Sequence, residues 1–148
     1  MKAKDIMEKN VLAIKKDVFV KDIAKIMFEN KISGVPVVDD ENKVIGVVTE
    51  KDLVFKEKES AFPAYVEFLG SLLFSEGAKK HDDELKRISL ITAEEIMTRD
   101  VHTITEDATI EEIANIMVDK NINRVPVVDK GGRIIGIVSR ADMLKTII

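Results

Sequence analysis

Val35-Pro36-Val37-Val38-Asp39 recurs ninety residues later as Val125-Pro126-Val127-Val128-Asp129. Working outward at that shift, Ile45-Gly46-Val47-Val48-Thr49 lies on Ile135-Gly136-Ile137-Val138-Ser139. The register then runs without a gap from Ala3–Val54 onto Ala93–Leu144, with 20 of 52 positions identical. The chain is therefore two copies of one structural unit, the first signal to seek in a new sequence. Residues 3–54 form the first repeat, 55–92 a connecting insert and 93–144 the second repeat, all within one module of residues 1–148.

Each copy has a readable order. Val11–Ile14 is short and β-rich. Ile23, Ile26 and Met27, matched by Ile113, Ile116 and Met117, fall at i, i+3, i+4 and predict a helix. Thr109 and Glu112 are spaced as its capping box, and Thr92 with Glu95 as that of a short helix carrying Ile96 and Met97. Val35–Val38 predicts a strand, Asp39–Asn42 and Asp129–Gly132 turns, Val44–Thr49 the partner strand, and Glu50–Phe55 the start of a second helix. The unit reads β-α-β-β-α, and the fold class is α/β (α+β). About 50 residues with one open sheet face are marginal alone. Two copies that cover each other's faces make a pseudo-two-fold domain. In the insert, Pro63 opens a helix whose Tyr65, Phe68, Leu69, Leu72 and Leu73 form an apolar stripe, with Gly77 closing it. That stripe is either ordinary core or a subunit or partner contact.

Composition narrows the function classes. With 148 residues, 45% hydrophobic and 34% charged, the chain can bury a core. The net charge of −4 argues against general nucleic-acid binding. Cysteine is absent, so disulfides, thiolate metal sites and cysteine nucleophiles are excluded. No apolar run reaches the length of a membrane span. The amino terminus lacks a signal-peptide apolar region, so the expected location is the cytoplasm. His81 lies in a charged stretch and His102 stands apart from it, a poor metal pair. No nucleophile elbow or P-loop occurs. The expectation is a protein that is not an enzyme, with no catalytic residue, metal or catalytic cofactor.

One polar pattern recurs in both copies. Gly46-Val-Val-Thr49-Glu-Lys51-Asp52 matches Gly136-Ile-Val-Ser139-Arg140-Ala141-Asp142. A hydroxyl ends the strand and a carboxylate follows three residues on. Two readings stand. The pair is a helix cap, or hydroxyl, helical N–H groups and carboxylate together face a ligand, the carboxylate accepting from a vicinal diol.

Here the sequence resembles a known family. Asp5-Ile6-Met7 and Glu95-Ile96-Met97, the Val-Pro-Val-Val-Asp strand, and Gly-h-h-Thr/Ser-x-x-Asp are similar to CBS motifs, and the pair resembles a Bateman module. The stretch Pro63-Ala64-Tyr65-Val66-Glu67-Phe68-Leu69-Gly70 resembles the helical insert of small stand-alone CBS proteins. The resemblance implies a sensor that binds an adenosyl ligand (AMP, ADP, ATP or S-adenosylmethionine) in two clefts between the repeats. One cleft would join Ser139 and Asp142 to Met7, Leu12, Ile32 and Ser33. The other would join Thr49, Lys51 and Asp52 to Met97, His102, Ile122, Asn123 and Arg124. Ile32 and Ile122 serve equally well as core. Phosphate-holding relatives often place His-Arg before the Val-Pro strand, whereas this chain has Asn123-Arg124 in one copy and Ser33-Gly34 in the other. Arg124 and Lys51 are therefore the candidate phosphate groups, with Arg140 alone near Asp142. The resemblance also implies a homodimer through the helices after each hairpin, and a partner enzyme or transporter. The competing expectation is a ligand-free scaffold that uses the aromatic insert to hold a partner.

Overall fold

The computed structural model describes residues 1–53 and 90–148. The aromatic insert stripe, Pro63, Gly77 and His81 lie outside the described residues.

The elements follow the repeat. Helix α1 (Ala3–Ile6), strand β1 (Ile14–Lys15), helix α2 (Val20–Glu29), strands β2 (Gly34–Val38) and β3 (Val44–Thr49) and helix α3 (Glu50–Leu53) come first. Then come α4 (Ala93–Ile96), α5 (Ile110–Asp119), β4 (Arg124–Val128), β5 (Ile134–Ser139), α6 (Arg140–Met143) and a 3₁₀ turn, Leu144–Thr146. The first sheet has the order β1-β2-β3, and β4 pairs β5 antiparallel. The expected first strand is displaced. Val11–Ala13 stay unpaired, and in the second copy Ile104 alone bridges Val127, in parallel. β-rich composition marks extended chain but supplies no partner, so the paired segment is shorter than the apolar one.

Helix α5 starts where the sequence places it. Thr109 Oγ1 accepts from the Glu112 N–H at 3.1 Å, and Glu112 Oε2 accepts from the Thr109 N–H at 3.1 Å. Helix α2 begins at Phe19 without a side-chain cap. Two residues past the end of each helix the chain turns through a positive φ, at Lys31 (54°) and Asn121 (51°).

By packing, the described chain falls into two compact units, and their borders are not the repeat borders. One comprises Met1–Ala13, Val38–Ile45 and Asp100–Ile148; the other comprises Ile14–Val37 and, of the described residues, 46–53 and 90–99. We name them by their recurrent carboxylates, the Asp142 unit and the Asp52 unit. Each repeat's leading segment is thus built into the unit of the other repeat. In the Asp142 unit the Ala3 N–H bonds the Ala108 carbonyl at 2.8 Å and Lys4 N–H the Glu106 carbonyl at 3.0 Å. In the Asp52 unit Ala93 and Glu94 make the same bonds, to Val18 at 2.8 Å and Lys16 at 2.9 Å. Ala3 and Ile6 join a buried cluster with Ile104, Ile113, Met117, Val125, Val127 and Val138. A fully buried Ile contributes about 1.5–3 kcal/mol relative to exposure, ample reason for a one-turn helix to dock.

The leader also completes the sheet. Pro126 has no N–H and faces Ile137 across the β4–β5 pair. Ile137 turns its backbone groups to the opposite edge, where Glu8 takes both, at 2.8 and 3.0 Å. Thr98 and Val47 exchange the equivalent pair in the Asp52 unit, at 2.9 and 3.0 Å. A Cβ on Gly136 would lie 2.5 Å from Met7 Sδ, and one on Gly46 the same 2.5 Å from Met97 Sδ. The Gly of Gly-h-h-Thr/Ser-x-x-Asp is the space that the Met of the leader needs.

Candidate functional site

In the Asp52 unit, strand β3 ends at Thr49 and α3 brings the half-buried Asp52 back toward it. Asp52 Oδ2 accepts from the Thr49 N–H at 2.8 Å and from the Thr49 hydroxyl at 3.3 Å. Oδ1 accepts from the Thr98 hydroxyl at 3.1 Å. The leader supplies that hydroxyl, beside the buried Met97. Lys51 is exposed, and Ile32 and Ser33, expected with the other carboxylate, belong to this unit.

In the Asp142 unit, β5 ends at Ser139. Asp142 Oδ2 accepts from the Ser139 N–H at 2.9 Å and from its hydroxyl at 3.0 Å, and the Asp142 N–H returns a bond to Ser139 Oγ at 3.2 Å. The capping box is therefore formed. Its far oxygen, Oδ1, holds the Lys145 ammonium at 3.1 Å, and Lys145 also donates to the Ile6 carbonyl at 3.0 Å. Met7 sits on Gly136 of the same strand, and Leu12 is 43% exposed. His102, Ile122, Asn123 and Arg124, expected with Asp52, belong to this unit. His102, Ile122 and Arg124 are half-buried, and the Arg124 Nε–H donates to Asn123 Oδ1 at 3.4 Å.

Two expectations change. The helical N–H groups offered to an anion are in part taken: Glu50 N–H bonds the Ser33 carbonyl at 3.1 Å and Arg140 N–H the Asn123 carbonyl at 2.7 Å. Helix α6 is one turn long, too short for a large dipole. The cation beside Asp142 is Lys145, while Arg140 lines a groove with Ala114, Met117, Val118, Asn121 and Met143. Sequence reading missed Lys145 because it lies just past the aligned repeat. It missed Thr98 because its counterpart at the shift of ninety is Glu8, which breaks the repeat.

Among the described residues no group of three His, Cys, Asp or Glu side chains is placed to hold a metal, and no helix is long and apolar enough to cross a membrane. Among the described residues Asp107 has its carboxyl held below its ordinary value through hydrogen bonding to Lys4 and the charges of Lys2 and Lys4.

The leader docking, the hairpin and the recurrent hydroxyl–carboxylate pair define a CBS domain pair. The CBS domain family matches residues 3–59 and 93–148, and the chain belongs to it. Protein MJ1426 of Methanocaldococcus jannaschii is 31% identical over 156 residues, covering 100% of this chain and 92% of that protein. The solved CBS domain pair of protein MJ0100, in complex with 5'-methylthioadenosine and S-adenosyl-L-methionine, is 28% identical with a TM-score of 0.71, covering 99% of this chain and 95% of that one. Inosine-5'-monophosphate dehydrogenase of Methanocaldococcus jannaschii is 29% identical over 97% of this chain, which spans 23% of the enzyme.

Proposed function

We propose that the chain is a regulatory module that senses an adenosyl ligand, AMP, ADP, ATP or S-adenosylmethionine, without turning it over. The observation that carries the reading is the recurrence of a half-buried carboxylate, Asp52 and Asp142, braced by a strand-end hydroxyl in both repeats. A braced carboxylate accepts a ribose diol through charge-assisted bonds. The likeness to a CBS pair that holds two adenosyl compounds supports the same ligand class. In this reading Thr49 and Ser139 hold the carboxylates, and Met7, Leu12, Ile32, Met97, His102 and Ile122 offer surfaces to the purine. Ser33 and Asn123 read its edge, and Arg124 and Lys51 take phosphate. Binding shifts the shape of the module and, through it, a partner enzyme or transporter in the cytoplasm.

Calorimetric titration of adenosine and AMP tests this. Hydrogen bonds to charged groups contribute roughly 1.5–3 kcal/mol each, so losing one weakens binding about 10- to 150-fold. Asp52→Ala is expected to weaken both ligands, and Arg124→Ala AMP alone. Unchanged affinities in Asp52→Ala reject the site, and equal AMP affinity in Arg124→Ala rejects the phosphate role. ATP or AMP recovered as phosphate or pyrophosphate, in an Asp52-dependent way, rejects the sensor reading.

The exposed apolar groove of about 450 Å³ beside α5 and α6, with Val118 79% and Leu144 61% exposed, supports a homodimer through the helices that follow the hairpins. A monomer by light scattering at tens of micromolar removes it.

A further inference from the structure

We propose that Lys145 is a displaceable gate on Asp142, the group a ligand diol must evict before the second carboxylate can bind it. The proposal rests on the reading of Asp142 as a diol-binding carboxylate.

Asp142 Oδ2 is committed to Ser139 by two bonds, at 2.9 and 3.0 Å, so Oδ1 is the oxygen left for a ligand. Lys145 Nζ stands on it at 3.1 Å. A diol that uses this oxygen meets an ion pair, not a solvated carboxylate. The two partners are unequally placed. The Asp142 side chain is 15% exposed and that of Lys145 51%, so the ammonium can return to water more easily than the carboxylate can. The Ile6 carbonyl, 3.0 Å from the same ammonium, holds it over the oxygen and ties the gate to the docked leader.

In the Asp52 unit the corresponding oxygen carries a neutral hydroxyl, Thr98 Oγ1 at 3.1 Å. A hydroxyl rotates and leaves the carboxylate its full negative charge. Where Thr98 stands in one leader, Glu8 stands in the other, and a second carboxylate there could not supply that proton. The gate therefore makes entry at Asp142 cost an ion pair that entry at Asp52 does not. Salt weakens such a pair: the Debye length falls from about 10 Å at 0.1 M to about 3 Å at 1 M.

The test titrates adenosine, a diol without phosphate, into Asp52→Asn protein, in which the Asp142 site is left to report. Lys145→Met in that background is expected to tighten adenosine about 2- to 5-fold at low salt, the range that a part-exposed ion pair provides. Raising NaCl is expected to tighten the parent toward the Lys145→Met value and to leave Lys145→Met itself unchanged. Lys145→Arg is expected to keep the gate and its salt response. Equal or weaker adenosine binding in Lys145→Met, with binding still lost on Asp142→Asn, overturns the gate and leaves the ligand reading intact. Adenosine binding indifferent to Asp142→Asn, or absent even in Lys145→Met, overturns the ligand reading and the gate with it. A purely structural role would move the melting temperature of Lys145→Met without moving its affinity or salt response, and so also counts against the gate.

Discussion

Asp52 and Asp142 occupy the same position in the repeat, take the same strand-end bonds, and differ in what meets their second oxygen: a threonine hydroxyl for one, a lysine ammonium for the other. The leaders docked beside them differ in the same manner. One brings Lys2, Lys4 and Glu8, the other Thr92, Glu94 and Thr98, although both make the same backbone bonds. Backbone pairing, the buried Ala and the Met packed on the strand glycine fix how a leader docks. Its outward side chains are free of that requirement, so charge can diverge while the fold stays pseudo-symmetric. Duplication gives two hydroxyl–carboxylate pairs of one design, and Thr98 and Lys145 make them unequal.

Three measurements break or sharpen this comparison. Ile23 and Ile113 are both fully buried on the core face of their helices. Replacing either by Ala is expected to cost about 2–5 kcal/mol by denaturant unfolding, with similar values at the two positions. A cost confined to one would break the equivalence of the cores.

The glycines come next. A Cβ would meet the leader Met at the same 2.5, 2.9 and 3.2 Å from Sδ, Cγ and Cβ at Gly46 and at Gly136. Gly46→Ala and Gly136→Ala are each expected to cost about 1–3 kcal/mol by overpacking. Stability unchanged in either variant would show that its leader is not seated as described.

The smallest effect is electrostatic. Lys4, then Lys2, hold the Asp107 carboxyl below its ordinary value. A carboxyl with a lowered folded pKa contributes stability that is present above its unfolded value, near about 3.9, and is lost as pH falls through the folded one. Lys4→Ala is expected to move the Asp107 titration midpoint upward, as followed by carbon NMR. An unmoved midpoint would sink the assignment to Lys4. Asp107 is exposed, so the change in overall stability should be slight.

Much of the fold was legible in the residues. The shift of ninety gave the repeats, and period 3.6 gave α2 and α5. Thr109 and Glu112 marked the start of α5, and β3 runs over the residues the sequence assigns to it, Val44–Thr49. Each is a local signal, a preference of neighbouring residues for one another. The hydroxyl–carboxylate pair was visible for the same reason, its members being three residues apart. The extent of β1 was not, because Val11–Ala13 have strand composition and no strand beside them.

The amino-acid sequence by itself determined the duplication, the order of elements and the candidate carboxylates. Tertiary structure alone decided that the leaders are exchanged between repeats, that Gly46 and Gly136 make room for methionines, and which group faces each carboxylate. Thr98 reaches Asp52 across 46 residues, and Lys145 touches Ile6 across 139. Pairing at such separations depends on how the closed chain packs, and no periodicity or spacing along the sequence encodes it.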